Sequence, residues 1–102
     1  IVLTDVEEEQ QLPTEFALLH NYPNPFNPST IISYELPKTS NVEIKVYDII
    51  GNEIATLVNE EKSPGVYNVE FGIRSSKLSS GIYLYKLTAG DFVQTKKMML
   101  IK

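Results

Sequence analysis

Alternation of apolar and polar residues dominates most of the chain downstream of residue 31. In the first two runs the apolar side chains are two positions apart, which is the spacing of a strand with one face against a core. Turn-forming residues separate the runs at intervals of roughly 8–12 residues, and no stretch shows helical periodicity. The runs are residues 32–36, 42–46, 54–58, 67–71, 81–87 and 92–102. The pattern predicts an all-β fold, an antiparallel immunoglobulin-like β-sandwich of about seven strands, with a barrel of similar strand number as the alternative.

Three of the connections between these runs have recognisable turn signals. After the second run, Gly51 or Asn52 can adopt a positive φ, as a tight reversal requires. Residues 62–65, Lys-Ser-Pro-Gly, predict another reversal of the chain. Residues 89–91, Ala-Gly-Asp, predict a tight hairpin that joins the last two runs.

Three prolines, Pro23, Pro25 and Pro28, lie just before the first alternating run. Each proline fixes φ and removes a backbone donor, so a helix or a central strand is excluded here. Tyr22 and Phe26 add two aromatic side chains to this restricted backbone. We therefore predict a rigid structural corner, residues 21–30, at the start of the sandwich. Its prolines would block edge pairing, while Tyr22 or Phe26 would cover the core.

The composition limits the classes of protein that need to be considered. A chain of 102 residues with 42% hydrophobic content suits one small domain with its own core. Cysteine is absent, which excludes disulfides and thiolate zinc sites. A net charge of −4 argues against nucleic acid as a partner, because such proteins gather lysine and arginine on one face.

Two domain segments are expected. Residues 1–15 contain the run Glu-Glu-Glu-Gln-Gln without apolar periodicity, and they predict an acidic interdomain linker or the end of an upstream domain. Residues 16–102 are predicted to form the β-sandwich. The chain begins without methionine, and we expect it to be part of a longer protein.

Catalytic and metal-binding patterns are not found in the sequence. His20 is the single histidine and has no nucleophile motif around it. The acidic residues do not have the spacing of a calcium loop, although a calcium ion shared between loops is left open. We therefore predict a protein that is not an enzyme and that requires no cofactor or metal.

The tyrosines allow an alternative function. Five of them could form a platform for stacking sugar rings, although packing in the core or between strands is the favoured interpretation. Tyr47 is out of phase with the apolar residues of its run, and it is therefore predicted to be an exposed aromatic. The five are Tyr34, Tyr47, Tyr67, Tyr83 and Tyr85. A carbohydrate-binding or purely structural accessory module thus remains as an alternative.

Six segments, taken together and in this order, resemble a known family. They are residues 16–18 (FAL), 21–30 (NYPNPFNPST), 32–37 (ISYELP), 46–53 (VYDIIGNE), 80–87 (SGIYLYKL) and 96–102 (KKMMLIK). From residue 12 to the end the chain resembles the type A C-terminal sorting domain of the type IX secretion system. It is also similar to the immunoglobulin-like module of flagellar hook-capping proteins, which agrees with the predicted sandwich.

The resemblance implies a sorting signal for a secreted cargo. Domains of this family follow a cargo domain in the same chain, which reaches the periplasm of a Gram-negative bacterium by its own signal. An outer-membrane translocon then recognises the sorting domain. A sortase-like protease removes it, here in the acidic stretch before Phe16, and the cargo is attached to the cell surface or released.

The resemblance also places the signal in the last residues of the chain. It implies recognition by the translocon through Lys96, Lys97, Met98, Leu100, Ile101 and Lys102, supported by Gly81 and Tyr83 on the neighbouring strand. A cationic terminal strand with an open edge could bind its partner by β-augmentation. The same edge could support a weak homodimer.

Overall fold

The computed structural model describes residues 12–72 and 78–102, and all regular structure within these ranges is β. The strands are β1 (Ala17–Leu18), β2 (Ser29–Leu36), β3 (Ser40–Asp48), β4 (Glu53–Lys62), β5 (Gly65–Gly72), β6 (Gly81–Ala89) and β7 (Phe92–Leu100). They form a three-stranded sheet in the order β1-β2-β5 and a four-stranded sheet in the order β4-β3-β6-β7. All strand pairs are antiparallel. The predicted antiparallel sandwich is confirmed.

The core lies between the two sheets and follows the alternation of the sequence. In β2, Ile32, Tyr34 and Leu36 are buried, and the residues between them are half-buried. The four-stranded sheet supplies a matching inner face from β3, β6 and β7. Its members are Val42, Ile44, Val46, Tyr83, Tyr85, Leu87, Met98 and Leu100. Burial of these side chains is the main force that holds the sheets together.

The turns have the geometry that the sequence predicts. Gly51 has a φ of 97°, and Gly90 has a φ of 61°. Ala89 pairs with Phe92, so the β6–β7 hairpin has two central residues and a positive φ at the first, as in a type II′ turn. The reversal after Lys62 carries the chain from β4 in one sheet to β5 in the other.

The two ends of the sandwich differ in what they carry. At one end, Phe16 stacks on Phe92 beside the β6–β7 hairpin, with 5.4 Å between the ring centroids. The described chain therefore enters at this end. The opposite end, called the distal end below, holds the proline corner, the β3–β4 turn and the last residues of β7. The prediction of a linker over residues 1–15 falls largely on residues 1–11, which lie outside the described residues.

Candidate functional site

The proline corner lies against the outer edge of β7 at the distal end. The Phe26 N–H donates to the Met99 carbonyl at 2.8 Å, and the Ile101 N–H donates to the Phe26 carbonyl at 3.1 Å. The Met99 N–H donates to Asn24 Oδ1 at 3.0 Å. The expectation that the prolines block edge pairing is wrong for the corner itself, because Phe26 keeps its N–H between them. The corner instead caps the last part of the β7 edge.

Phe26 anchors the corner in the core, whereas Tyr22 does not. Phe26 is 1% exposed and meets Phe71 edge to face, with 6.0 Å between the ring centroids. Tyr22 is 79% exposed, so of the two aromatics only Phe26 covers the core. Pro23, Pro25 and Pro28 are exposed on the outside of the corner. Their contribution is to restrict the backbone that presents Phe26.

A buried polar pair fastens the start of the corner, and the sequence interpretation missed it. Asn21 Nδ2 donates to Thr30 Oγ1 at 3.0 Å and to the Pro23 carbonyl at 3.2 Å. The Thr30 hydroxyl donates to the same carbonyl at 2.8 Å. Both side chains are buried. The sequence did contain a signal for this pair, because an amide and a hydroxyl stand at the two ends of the proline segment. Side chains of this kind often form hydrogen bonds with backbone groups in irregular segments.

The residues implied to carry the signal fall into three groups by their exposure. Tyr83, Met98 and Leu100 are buried, so in the folded domain a partner cannot touch them and their effect would act through packing. Lys96 is half-buried on the same side of β7. Exposed positions are Gly81, Lys97, Ile101 and Lys102. Their role in recognition remains a prediction.

The three lysines do not form one charged cluster. Lys96 and Lys97 are adjacent in β7 and therefore point to opposite faces of the sheet. Lys102 lies beyond the end of β7. Its backbone N–H donates to Ser80 Oγ, just before β6, at 2.9 Å. Met99 shares the outer face with Lys97 and is 38% exposed, and the sequence interpretation omitted it. In the alternation of β7, Met99 falls on the face opposite to Met98 and Leu100. This pattern could have identified Met99 as an exposed residue.

A shallow groove opens where the corner meets the outer face of the four-stranded sheet. It has a volume of about 330 Å³. Its lining residues are Asn24, Pro25, Ile82, Lys97, Met98 and Met99. The groove combines apolar side chains with the amide of Asn24 and the side chain of Lys97.

Upstream of the cap, the edge of β7 is open. The Met99 N–H and carbonyl point away from β6 toward the corner, and in an antiparallel ladder every second residue does the same. The outward backbone groups of Val93, Thr95 and Lys97 therefore face this edge, and no described residue bonds to them. This geometry can accept one added strand.

The tyrosines do not form the platform that sugar binding requires. Tyr47 lies on the outer face of its sheet, as its phase predicts, but it is half-buried, so the prediction of an exposed aromatic at this position is wrong. Tyr34 stacks on Tyr67 with 5.4 Å between centroids, and Lys62 Nζ lies 4.9 Å from the centre of the Tyr67 ring. Tyr85 is in the core and donates to the Leu19 carbonyl at 2.8 Å.

The described part of the chain holds neither a cluster of metal-binding side chains nor a helix that could span a membrane. Over residues 12–72 and 78–102, no three acidic or histidine side chains come close enough together to hold a metal ion. His20 is exposed. Within the same ranges, no helix has the length and hydrophobicity needed to cross a bilayer.

Comparison with solved structures gives a match to dimeric latent PorU from Porphyromonas gingivalis. The TM-score is 0.64 at 18% sequence identity, and the match covers 82% of this chain. The chain spans only 9% of the length of that PorU chain. At this identity the likeness concerns the fold alone. No curated protein matches the chain.

The family comparison is more specific than the structural one. The model of the secretion system C-terminal sorting domain matches residues 20–102, which include the corner and every strand except β1. Proteins with such domains are secreted or cell-surface proteins of Bacteroidetes. The chain therefore belongs to the family of C-terminal sorting domains, the signals that direct the cargo of the type IX secretion system.

Proposed function

We propose that the domain is a non-catalytic sorting signal whose distal end is bound by the outer-membrane translocon. The observation that carries this proposal is the exposure of Lys97, Met99, Ile101 and Lys102 at the end farthest from Phe16. A cargo joined before Phe16 would hang from the opposite end of the sandwich. The translocon could then bind the distal end without a clash with the cargo.

Three kinds of contact would contribute to recognition. Toward the distal end of β7, the open edge from Thr95 to Lys97 offers backbone hydrogen bonds to an added strand of the partner. The groove beside Pro25 accepts an apolar side chain. The lysines at positions 97 and 102 attract acidic groups and increase the association rate.

The buried residues of the signal would act indirectly. Met98 and Leu100 fill the core below the same stretch of β7, so they fix the positions of Lys97, Met99 and Ile101. Loss of either buried side chain would weaken recognition by loosening the strand. Loss of an exposed one would weaken it with the fold intact.

We further propose that the domain passes with its cargo through the periplasm and is then removed at the surface. A sortase-like protease would cut in the acidic stretch before Phe16. Exposed chain ahead of a folded domain is where proteolysis concentrates. The released cargo would be attached to the cell surface or shed.

An export assay tests the proposal. Residues 1–102 are fused to a fluorescent periplasmic cargo in a host with a type IX system, and the exported fraction is compared with that of the Lys97→Glu/Ile101→Ser variant. Both substituted residues are exposed, so the fold should persist. We expect export to fall while thermal unfolding of the purified fusion is unchanged.

A matched control and a truncation complete the assay. Val66→Ser changes an exposed residue of β5, which is 57% exposed, and should leave export unchanged. Deletion of residues 98–102 should abolish export, because it removes the exposed contacts and two core side chains. Normal export of the double variant would refute the proposed function, whatever the result for the truncated fusion.

A further inference from the structure

The β3–β4 turn presents two large apolar side chains to solvent. Ile49 is 66% exposed and Ile50 is 78% exposed. They occupy the two central positions of the turn between Asp48 and Gly51. Isoleucine is unusual at such positions, where small and polar residues are favoured.

The turn does not need these isoleucines for its own geometry. Asp48 Oδ1 accepts hydrogen bonds from the backbone N–H of Ile50 at 3.1 Å and of Asn52 at 2.8 Å, and Asn52 Nδ2 donates to Asp48 Oδ2 at 3.0 Å. The Gly51 N–H donates to the Asp48 carbonyl at 3.0 Å. Gly51 supplies the positive φ. The turn is therefore held by Asp48, Gly51 and Asn52, and the side chains of Ile49 and Ile50 take no part in its hydrogen bonds.

The turn lies next to the groove on the distal end. Asp48 pairs with Tyr83, and Tyr83 pairs with Met98, so the three residues form one row across the sheet. The next row toward the distal end contains Ile82 and Met99. Ile49, which follows Asp48 in the chain, lies level with this row. Strands in a sheet are about 4.8 Å apart, which places Ile49 roughly 10 Å from Met99 across β6. Ile49 thus lies one strand away from Ile82, which lines the groove, whereas Ile50 lies farther away, toward β4.

The charges around this surface indicate the chemistry of the partner. The carboxylate of Asp48 is engaged in the turn, and that of Glu53 bonds to Lys45 at 3.2 Å. Lys97 lies at the opposite border of the surface, on the same outer face of β7 as Met99. A partner that fits both features has an apolar pocket for the turn and acidic side chains facing β7.

We propose that Ile49 and Ile50 form a second contact of the recognition surface and insert into an apolar pocket on the protein component of the translocon that binds β7, and that the carboxylates of that component face Lys97. This inference rests on the proposed function. It adds to that function a two-point interface, with the β3–β4 turn at one side and the end of β7 at the other. Two separated contacts on a rigid sandwich fix the orientation of the domain as well as its position.

Export of the fluorescent fusion of residues 1–102 tests this contact. Ile49→Thr/Ile50→Thr keeps β-branched side chains and the hydrogen bonds of Asp48, but removes the apolar surface. We expect export to slow by at least tenfold, because removal of about four buried carbon atoms would weaken binding by on the order of a hundredfold. Val66→Thr is the matched control at an exposed position of β5 and should export normally.

A photoreactive amino acid at position 50 provides a second measurement that does not depend on the double variant. After irradiation of secreting cells, we expect an adduct between the fusion and an outer-membrane protein of the translocon, and its loss in the Lys97→Glu/Ile101→Ser background. An adduct with a second copy of the fusion or with lipid alone would overturn the inference. The absence of any adduct would also overturn it.

The two proposals fail in different ways. Loss of export in the β7 variant together with normal export of Ile49→Thr/Ile50→Thr would refute the turn contact and leave the proposed function standing. Normal export of both variants would refute both.

Discussion

Replacement of Phe26 with alanine should remove the anchor of the proline corner. The ring is 1% exposed and packs edge to face on Phe71. A buried phenylalanine reduced to alanine costs about 3–5 kcal/mol through lost burial and the cavity left behind. A domain of this size has a total stability of about 5–15 kcal/mol. We therefore expect Phe26→Ala to lower the free energy of unfolding by a large fraction and the Tm by more than about 10 °C.

Urea unfolding of the full chain, followed by tyrosine fluorescence, measures this loss. Tyr22→Ala is the matched control, since Tyr22 is another aromatic of the same corner but is 79% exposed, and it should change stability by less than about 0.5 kcal/mol. Similar losses for the two variants would refute the assignment of Phe26 as the anchor. So would a change confined to the slope of unfolding against urea, which would indicate an altered denatured state.

Three further predictions concern the corner, the core and the β3–β4 turn. Thr30→Val removes both hydrogen bonds of the buried hydroxyl and should lower the free energy of unfolding, measured by chemical denaturation, by about 1–3 kcal/mol. Thr30→Ser keeps a hydroxyl and should lower it less. Equal losses for the two variants would contradict a role for the hydroxyl. Burial raises the pKa of Tyr85 to about 12, so the stability it contributes is complete below about pH 10 and is lost as the pH rises toward 12. Urea midpoints across this range should fall less steeply for Tyr85→Phe, and an unchanged slope would exclude Tyr85 as the cause. Gly51→Ala should lower the free energy of unfolding, measured by thermal unfolding, by about 1–2 kcal/mol because Gly51 has a positive φ. Gly72→Ala, where the new Cβ makes an ordinary contact, should change it little. The reverse order would show that the space around the new Cβ, and not φ, determines the loss of stability.

Burial changes how the signal in β7 should be tested. A deletion of the last residues removes both Met98 and Leu100 from the core and Ile101 from the surface. Lost export in such a variant has two explanations, an unfolded strand or a missing contact. Substitutions restricted to Lys97, Met99 and Ile101 separate them, because these side chains lie outside the core.

Local patterns in the sequence were sufficient for the class of fold and for several of its details. The alternation of Ile32, Tyr34 and Leu36 correctly predicted which face of β2 is buried, because the period of a strand is two whatever the strand pairs with. The turn at Gly51 and the hairpin at Gly90 were equally local, since a positive φ selects glycine. The resemblance of the six segments to sorting domains was confirmed over residues 20–102.

Contacts between distant segments were decided only in the tertiary structure. The sequence gives no register between Phe26 and Met99, which are far apart in the chain, and so it could not show that the corner caps the edge of β7. For the same reason Tyr22 and Phe26 looked equivalent, and Tyr47 looked exposed although the packed sheet half-buries it. Strand periodicity assigns a side chain to a face, but which faces are covered depends on the order of strands in each sheet and on what packs over them. That order is set by the burial of the whole core, which is a property of the assembled sandwich and not of any one segment.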